Sequence, residues 1–259
     1  AQYIILITSY LVPVVVLSWQ LFSNPVPQLA YGKVLQLNNQ SALAITRDPQ
    51  EKATREIWKA EAAAAEAKIK DPATTPEEVV KLTAAQKTAA TQAKAPAASD
   101  DATIGNYLTV PKGKGMANFL ALTFCLMVGT AGLPHILARY YTTPSVREAR
   151  TSVGWSLFFI FLLYFTAPAY AAFARFSVFT KLVGQRISDL PSWVTLWKPA
   201  GLFDVVDKAG DGIIQFADFV IKSSDFVVLA TPEIAGLPFV VTGLVMAGGL
   251  AAALSTADG

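Results

Sequence analysis

Four runs of this chain contain no Asp, Glu, Lys or Arg: Tyr3 to Phe22, Met116 to Leu137, Val153 to Ala174 and Leu237 to Thr256. Each is 20 to 22 residues long. A bilayer core of ~30 Å takes about 20 helical residues at ~1.5 Å each, so each run is long enough to cross once. Helices of a water-soluble domain carry a polar face and do not produce four such runs. Charged residues make up only 15% of the 259 residues, in keeping with that pattern. The chain therefore reads as an all-α integral membrane protein lying in a lipid bilayer, with spans at 3–22, 116–141, 153–174 and 237–256.

The formal net charge of +2 gives no reason to expect a nucleic-acid partner. Cys125, inside a span, is the sole cysteine, so no disulfide can form within the chain. The first run is preceded by neither a basic region nor a cleavage site, which does not fit a signal peptide. The last run stops three residues from the end, and the chain is expected to be a portion of a longer protein. Orientation follows from the short connection Ala138 to Ser152, whose loop proper is 142–152. It carries Arg139, Arg147 and Arg150 against Glu148. Short loops rich in Arg and Lys stay in the cytoplasm. Both long loops, 23–115 and 175–236, are then extracytoplasmic, and the setting is a bacterial inner membrane.

The first long loop opens on the breaker cluster Asn24-Pro25-Val26-Pro27. From Pro49 to Lys70 it is rich in Ala, Glu and Lys and favours helix. Glu51 and Arg55, and Glu66 and Lys70, sit at i,i+4 in the favourable order. Asp71-Pro72 stops this helix. Thr75, Pro76 and Glu78 restart one with a capping box and proline at the first position. The expectation is a helical hairpin that serves as a solvated spacer, with a partner-docking hairpin as the sharper reading. In the second long loop, Trp193 and Trp197 are expected at the membrane interface. The segment Ile213 to Ala230 is expected as a surface or re-entrant helix.

Within the second span lies Gly129-Thr130-Ala131-Gly132-Leu133-Pro134-His135. Two glycines and a proline disfavour continuous helix, and Pro134 suits the start of a second half-helix. Non-helical backbone at this depth must be buried in protein or line a cavity. Transporters use such breaks to bind substrate. A proline kink packed against neighbouring helices is the other reading. His135 is the only histidine. It reads either as a neutral side chain bonded to a backbone carbonyl or as a proton relay. In the last span, small residues from Gly248 to Ala253 allow close helix packing. The hydroxyls of Ser255 and Thr256 can ligate a hard cation or bond to i−4 carbonyls.

GTAGLPHILARYYT and GGLAAALSTADG, in that order with a span between them, resemble the sixth and eighth core helices of sodium/solute symporters. The resemblance is strongest to the acetate (cation/acetate) permease-like branch. It covers all four spans, as core helices five to eight, but not the first long loop. The resemblance implies an inverted-repeat, five-plus-five helix secondary transporter core working by alternating access. It implies a sodium (Na+) site shared between the eighth helix, here Ser255 and Thr256, and a first helix that this chain lacks. It implies a substrate-lining turn at Gly129, Thr130, Gly132, Pro134 and His135. Proline-transporting relatives place aromatic residues where Thr130 and Leu126 stand here, which argues against proline as substrate and is consistent with a small organic anion such as acetate.

Asp207, Asp211, Gly212, Ile214 and Asp218 fall at positions 1, 5, 6, 8 and 12 of a calcium-loop pattern, 207–218. Ala209 occupies a ligand position, and Asp218 replaces the longer Glu. The segment reads either as a calcium (Ca2+) site or as an Asp-Gly turn. No catalytic constellation is present, so the chain is not expected to be an enzyme. Two functions stand: a sodium-coupled symporter of a short monocarboxylate, and a solute-sensing membrane module of the same fold in a signalling protein.

Overall fold

The computed structural model describes residues 2–71, 75–96, 114–223 and 226–257. Helix α1 (Gln2–Phe22) contains the first charge-free run. Helices α5 (Lys114–Ala131) and α6 (Pro134–Tyr141) share the second. Helix α7 (Val146–Lys181) contains the third and α10 (Phe239–Ala257) the fourth. By length and apolarity, α1 and α7 are each able to cross a membrane, while α5 and α10 carry shorter apolar stretches.

Helix α7 overruns the expected span of 153–174 at both ends. Ser145 caps it, accepting the Glu148 amide, so most of the presumed 142–152 loop is helical. At 36 residues it is ~54 Å long, well beyond the ~30 Å of a hydrocarbon core. Its first half exposes Trp155, Phe158, Phe161 and Phe165. Its second half is buried against α1 and against α2 (Pro27–Arg47), a helix that the sequence reading missed. Val14, Leu17, Ala30, Val34, Ala169, Tyr170 and Phe173 form that core. The Tyr170 hydroxyl donates to the Tyr10 carbonyl, and the rings lie 4.7 Å apart. Asn38 is fully buried and donates to the Ala172 carbonyl at 2.8 Å. Gln28 donates to Thr166 at 2.9 Å. The last two bonds each give a buried or half-buried amide donor a partner, while Asn38 Oδ1 stays buried without one.

The hairpin is present as expected in its local signals. Asp48 ends α2 and also caps α3 (Pro49–Ile69), accepting the Gln50 amide. The pair Glu66–Lys70 closes at 2.6 Å. The capping box of Thr75 and Glu78 starts α4 (Pro76–Gln92). The hairpin is not a free spacer, however. Trp58 and Ala89 are buried against Ala217 and Val220 of the second loop. Gln92 donates to the Phe219 carbonyl, and Lys208 pairs with Glu61 at 2.7 Å while lying over the Trp58 ring.

The second loop folds as a small unit around its own aromatic core. It contains α8 (Ser192–Trp197) and the antiparallel strands β1 (Phe203–Val205) and β2 (Phe219–Ile221). The chain is therefore not purely helical. The stretch 213–230 is not one helix: it passes through a 3-10 turn at Phe216–Asp218 and β2 before α9 (Phe226–Ile234) begins. Trp193 and Trp197 are buried in this core with Phe203, Ile214, Phe219 and Phe226, not displayed at a membrane interface. The Trp197 ring nitrogen donates to Glu233 at 2.8 Å, so the buried indole keeps a partner. Gln20 of α1 donates to the Ala235 carbonyl and ties this unit to the helices below.

Because Trp58 fills the contact between the hairpin and the second loop, Trp58→Ala should destabilise that contact by ~3–5 kcal/mol. Protease sensitivity of the purified protein within α3 and α4 should rise. Unchanged cleavage would mean the contact contributes little.

Candidate functional site

The break in the second apolar run falls where the glycines and proline place it. Gly132 closes the last turn of α5, its amide donating to the Val128 carbonyl at 3.0 Å. Leu133 is extended, with φ −64° and ψ 128°. Pro134 then takes the first position of α6, where its missing N–H costs nothing. The next turn closes through the Leu137 amide to the Leu133 carbonyl at 3.1 Å. The first N–H groups of α6 therefore open onto the break and form the positive end of a half-helix. Gly129, Gly132 and Pro134 lie along this feature. The side chains of Thr130 and His135 lie outside the described residues. Helix α5 is exposed along its described length, which leaves one wall of the break open to whatever packs there.

Helix α10 packs along α1 through its small residues. A Cβ added to Gly248 would stand 2.5 Å from the Ser9 hydroxyl, so glycine sets this approach. Ser255 and Thr256 belong to the last turn of α10, but their side chains lie outside the described residues. Whether they ligate a cation together with other helices therefore rests on the resemblance.

The acidic loop is closed by protein donors. Asp207 accepts the amides of Gly210 at 2.7 Å and Gly212 at 3.0 Å. Asp211 accepts the Ile213 amide and the Gln215 side chain. Asp218 accepts the amides of Lys208 and Gln215. All six carboxylate oxygens thus carry an N–H. Gly210 and Gly212 have φ of 70° and 72°, which the turn requires. Among the described residues, no three acidic, histidine or cysteine side chains are grouped to hold a metal ion. The loop is thus closed by amides of its own backbone and by the Gln215 side chain.

The sequence reading did not single out the burial of Glu51. It is 2% exposed and accepts the amides of Phe216 and Ala217. Its signal was visible only as an i,i+4 partner for Arg55, a pattern normally found on solvated faces. Asp218 is fully buried beside it.

Burial pushes the Asp218 carboxyl up from 3.8 to about 6; the Gln215 and Lys208 amides oppose the rise, and the charges of Asp207 and Asp211 add to it. Burial likewise raises Glu51. A raised carboxyl pKa means the folded loop holds a proton that the unfolded loop releases. This contribution is full below about pH 3.8 and is lost as pH rises to about 6. Amide protection across the rest of the second loop, away from the two amides bonded to Asp218 and corrected for intrinsic exchange, should fall across that window. Asp218→Asn should flatten the fall. Protection that rises with pH would contradict the burial argument.

Comparison with known proteins places this geometry in context. No family model and no solved structure matches the chain. It is 38% identical over its whole length to an uncharacterized symporter of Cupriavidus necator, of which it covers 44%. It is 49% identical over 47 residues, 18% of the chain and 8% of the relative, to a monocarboxylic acid transporter of Corynebacterium glutamicum. It is 38% identical over 89 residues, 33% of the chain and 16% of the relative, to an uncharacterized symporter of Bacillus subtilis. The chain spans less than half the length of these relatives. Apolar helices, a broken helix and whole-length similarity to a symporter agree, and together they are consistent with a portion of a sodium/solute symporter-like protein.

Proposed function

We propose that the parent protein is a sodium-coupled symporter that moves a short monocarboxylate, such as acetate, by alternating access. The observation that carries this reading is the break between α5 and α6 inside an apolar run. A break there leaves backbone groups unpaired, a cost tolerated where the backbone lines a cavity. The N-terminal dipole of α6 suits a carboxylate arriving at Gly132 and Leu133. Thr130 and His135 flank the same turn and would present a hydroxyl and an imidazole to it.

Sodium is the co-transported cargo in this reading. Ser255 and Thr256 would supply hydroxyl oxygens, and the remaining ligands would come from the first core helix, outside this chain. Coupling is a matter of shared conformational preference: sodium and carboxylate each favour the same state, so each raises the other's affinity. The layer built from α2, α3, α4, α8, β1, β2 and α9 would face outside the cell, with the turn after α6 facing the cytoplasm. The printed name of the Corynebacterium glutamicum relative supports the substrate class.

The test is uptake of labelled acetate by the full-length protein in liposomes, under an inward sodium gradient and under potassium. Sodium-driven uptake in wild type, lost in Ser255→Ala/Thr256→Ala, is the expected result. Sodium-driven uptake that survives both substitutions would remove the cation site and keep the symporter. Failure to move acetate or any short carboxylate would overturn the reading and favour solute sensing without flux.

A further inference from the structure

Glu51 sits at the third position of α3, where an exposed side chain would serve equally well as a partner for Arg55. It is instead 2% exposed. Its Oε2 accepts the Phe216 amide at 2.7 Å and the Ala217 amide at 3.4 Å. Its Oε1 has no hydrogen-bond partner and lies 3.5 Å from Arg55 Nε. Burying a carboxylate is costly unless it is paired and hydrogen-bonded. Here it joins two segments 165 residues apart in the chain.

The amides that it accepts begin the 3-10 turn leading into β2. From there a continuous set of ring contacts runs inward. Phe219 of β2 stacks on Phe203 at 5.8 Å, and Phe203 stacks on Phe226 of α9 at 5.2 Å. Helix α9 packs on α1, α7 and α10 and leads directly into α10. The Glu51 carboxylate thus stands at one end of a packed path whose other end is the start of α10.

We infer that Glu51 is a positioning residue of the transport cycle, whose carboxylate latches the α3–α4 hairpin onto the 216–221 segment and thereby steadies the start of α10. The inference rests on the transport reading above. The charged groups around the latch come from every neighbouring element. Arg55 faces it from α3 and also donates to the Thr46 carbonyl of α2. Asp218 faces it from the loop, with Asp207 and Asp211 behind. Lys208 and Glu61 pair at the far side of Trp58. Gln92 of α4 binds the Phe219 carbonyl, and Arg175 of α7 lies over Phe179, whose ring meets Phe216. Burial raises the Glu51 carboxyl, whereas the Phe216 and Ala217 amides favour its ionised form.

The test uses the full-length protein in liposomes, with Glu51→Ala and the isosteric Glu51→Gln, and reads both amide exchange and uptake. In Glu51→Ala, exchange at Phe216 and Ala217 should quicken by about tenfold or more, as expected for loss of a charge-assisted acceptor. Maximal uptake should fall several-fold while the half-saturating sodium concentration stays put. Glu51→Gln keeps an oxygen for the two amides. It should restore uptake and most of the protection. Faster exchange in Glu51→Ala without a change in uptake would overturn the inference. So would a Glu51→Gln as impaired as Glu51→Ala, or a sodium requirement that shifts in step with the rate. If wild type carries no short carboxylate, the transport reading fails. The exchange data then decide the latch alone, and unchanged exchange in Glu51→Ala would reject it.

Discussion

The packing of α2 against the second half of α7 supports everything built beyond the apolar helices. Phe173 is fully buried there, and the side-chain amides of Asn38 and Gln28 donate across the seam to the Ala172 carbonyl and the Thr166 hydroxyl. Helix α7 is too long to end where a bilayer would, so its second half needs a neighbour to cover it. Helix α2 supplies that cover. The hairpin then departs from α2, and the second loop departs from α7. Each loop thus starts from one side of a shared seam, and the two meet again at Trp58 and Glu51.

What the sequence made legible was local. Charge-free runs located the apolar helices, because charge is so costly in hydrocarbon that its absence over 20 residues is informative. The break at Gly132 and Leu133 was legible because proline and glycine act through their own backbone. The capping box of Thr75 and Glu78 was legible because its side-chain partners lie three residues apart. Helix α2 was not. Its stretch Gln36 to Gln40 is mostly polar, both asparagines are buried, and Asn38 is paired with the Ala172 carbonyl of α7, 134 residues away. Strands of three residues carry too little pattern to be read.

The two tryptophans of the second loop show the same limit from another side. Their amphipathic character suits a membrane interface, and it equally suits a core that offers one polar partner. Glu233 is that partner for Trp197, and no local pattern announced it. The candidate transport site was legible in its backbone, at Gly132, Leu133 and Pro134, while the side chains of Thr130 and His135 lie outside the described residues. The acidic loop gives the opposite lesson. Its spacing matches a calcium pattern, yet the same spacing lets three aspartates cap the turns of their own backbone.

Asp48 is the sole residue between α2 and α3, serving as the end of one and the cap of the other. The direction of a 21-residue helix therefore hangs on one pair of dihedral angles, now φ −60° and ψ 128°. Helix α3 is ~32 Å long, and a rotation of about 10° at this pivot would carry its tip by about 5 Å. Glu51 sits within one turn of the pivot, where small forces have little leverage on the arm. Glu61, paired to Lys208 ten residues further on, acts at roughly half the arm's length. Together they act as a bearing and a stay: one fixes the axis, and the other limits the swing.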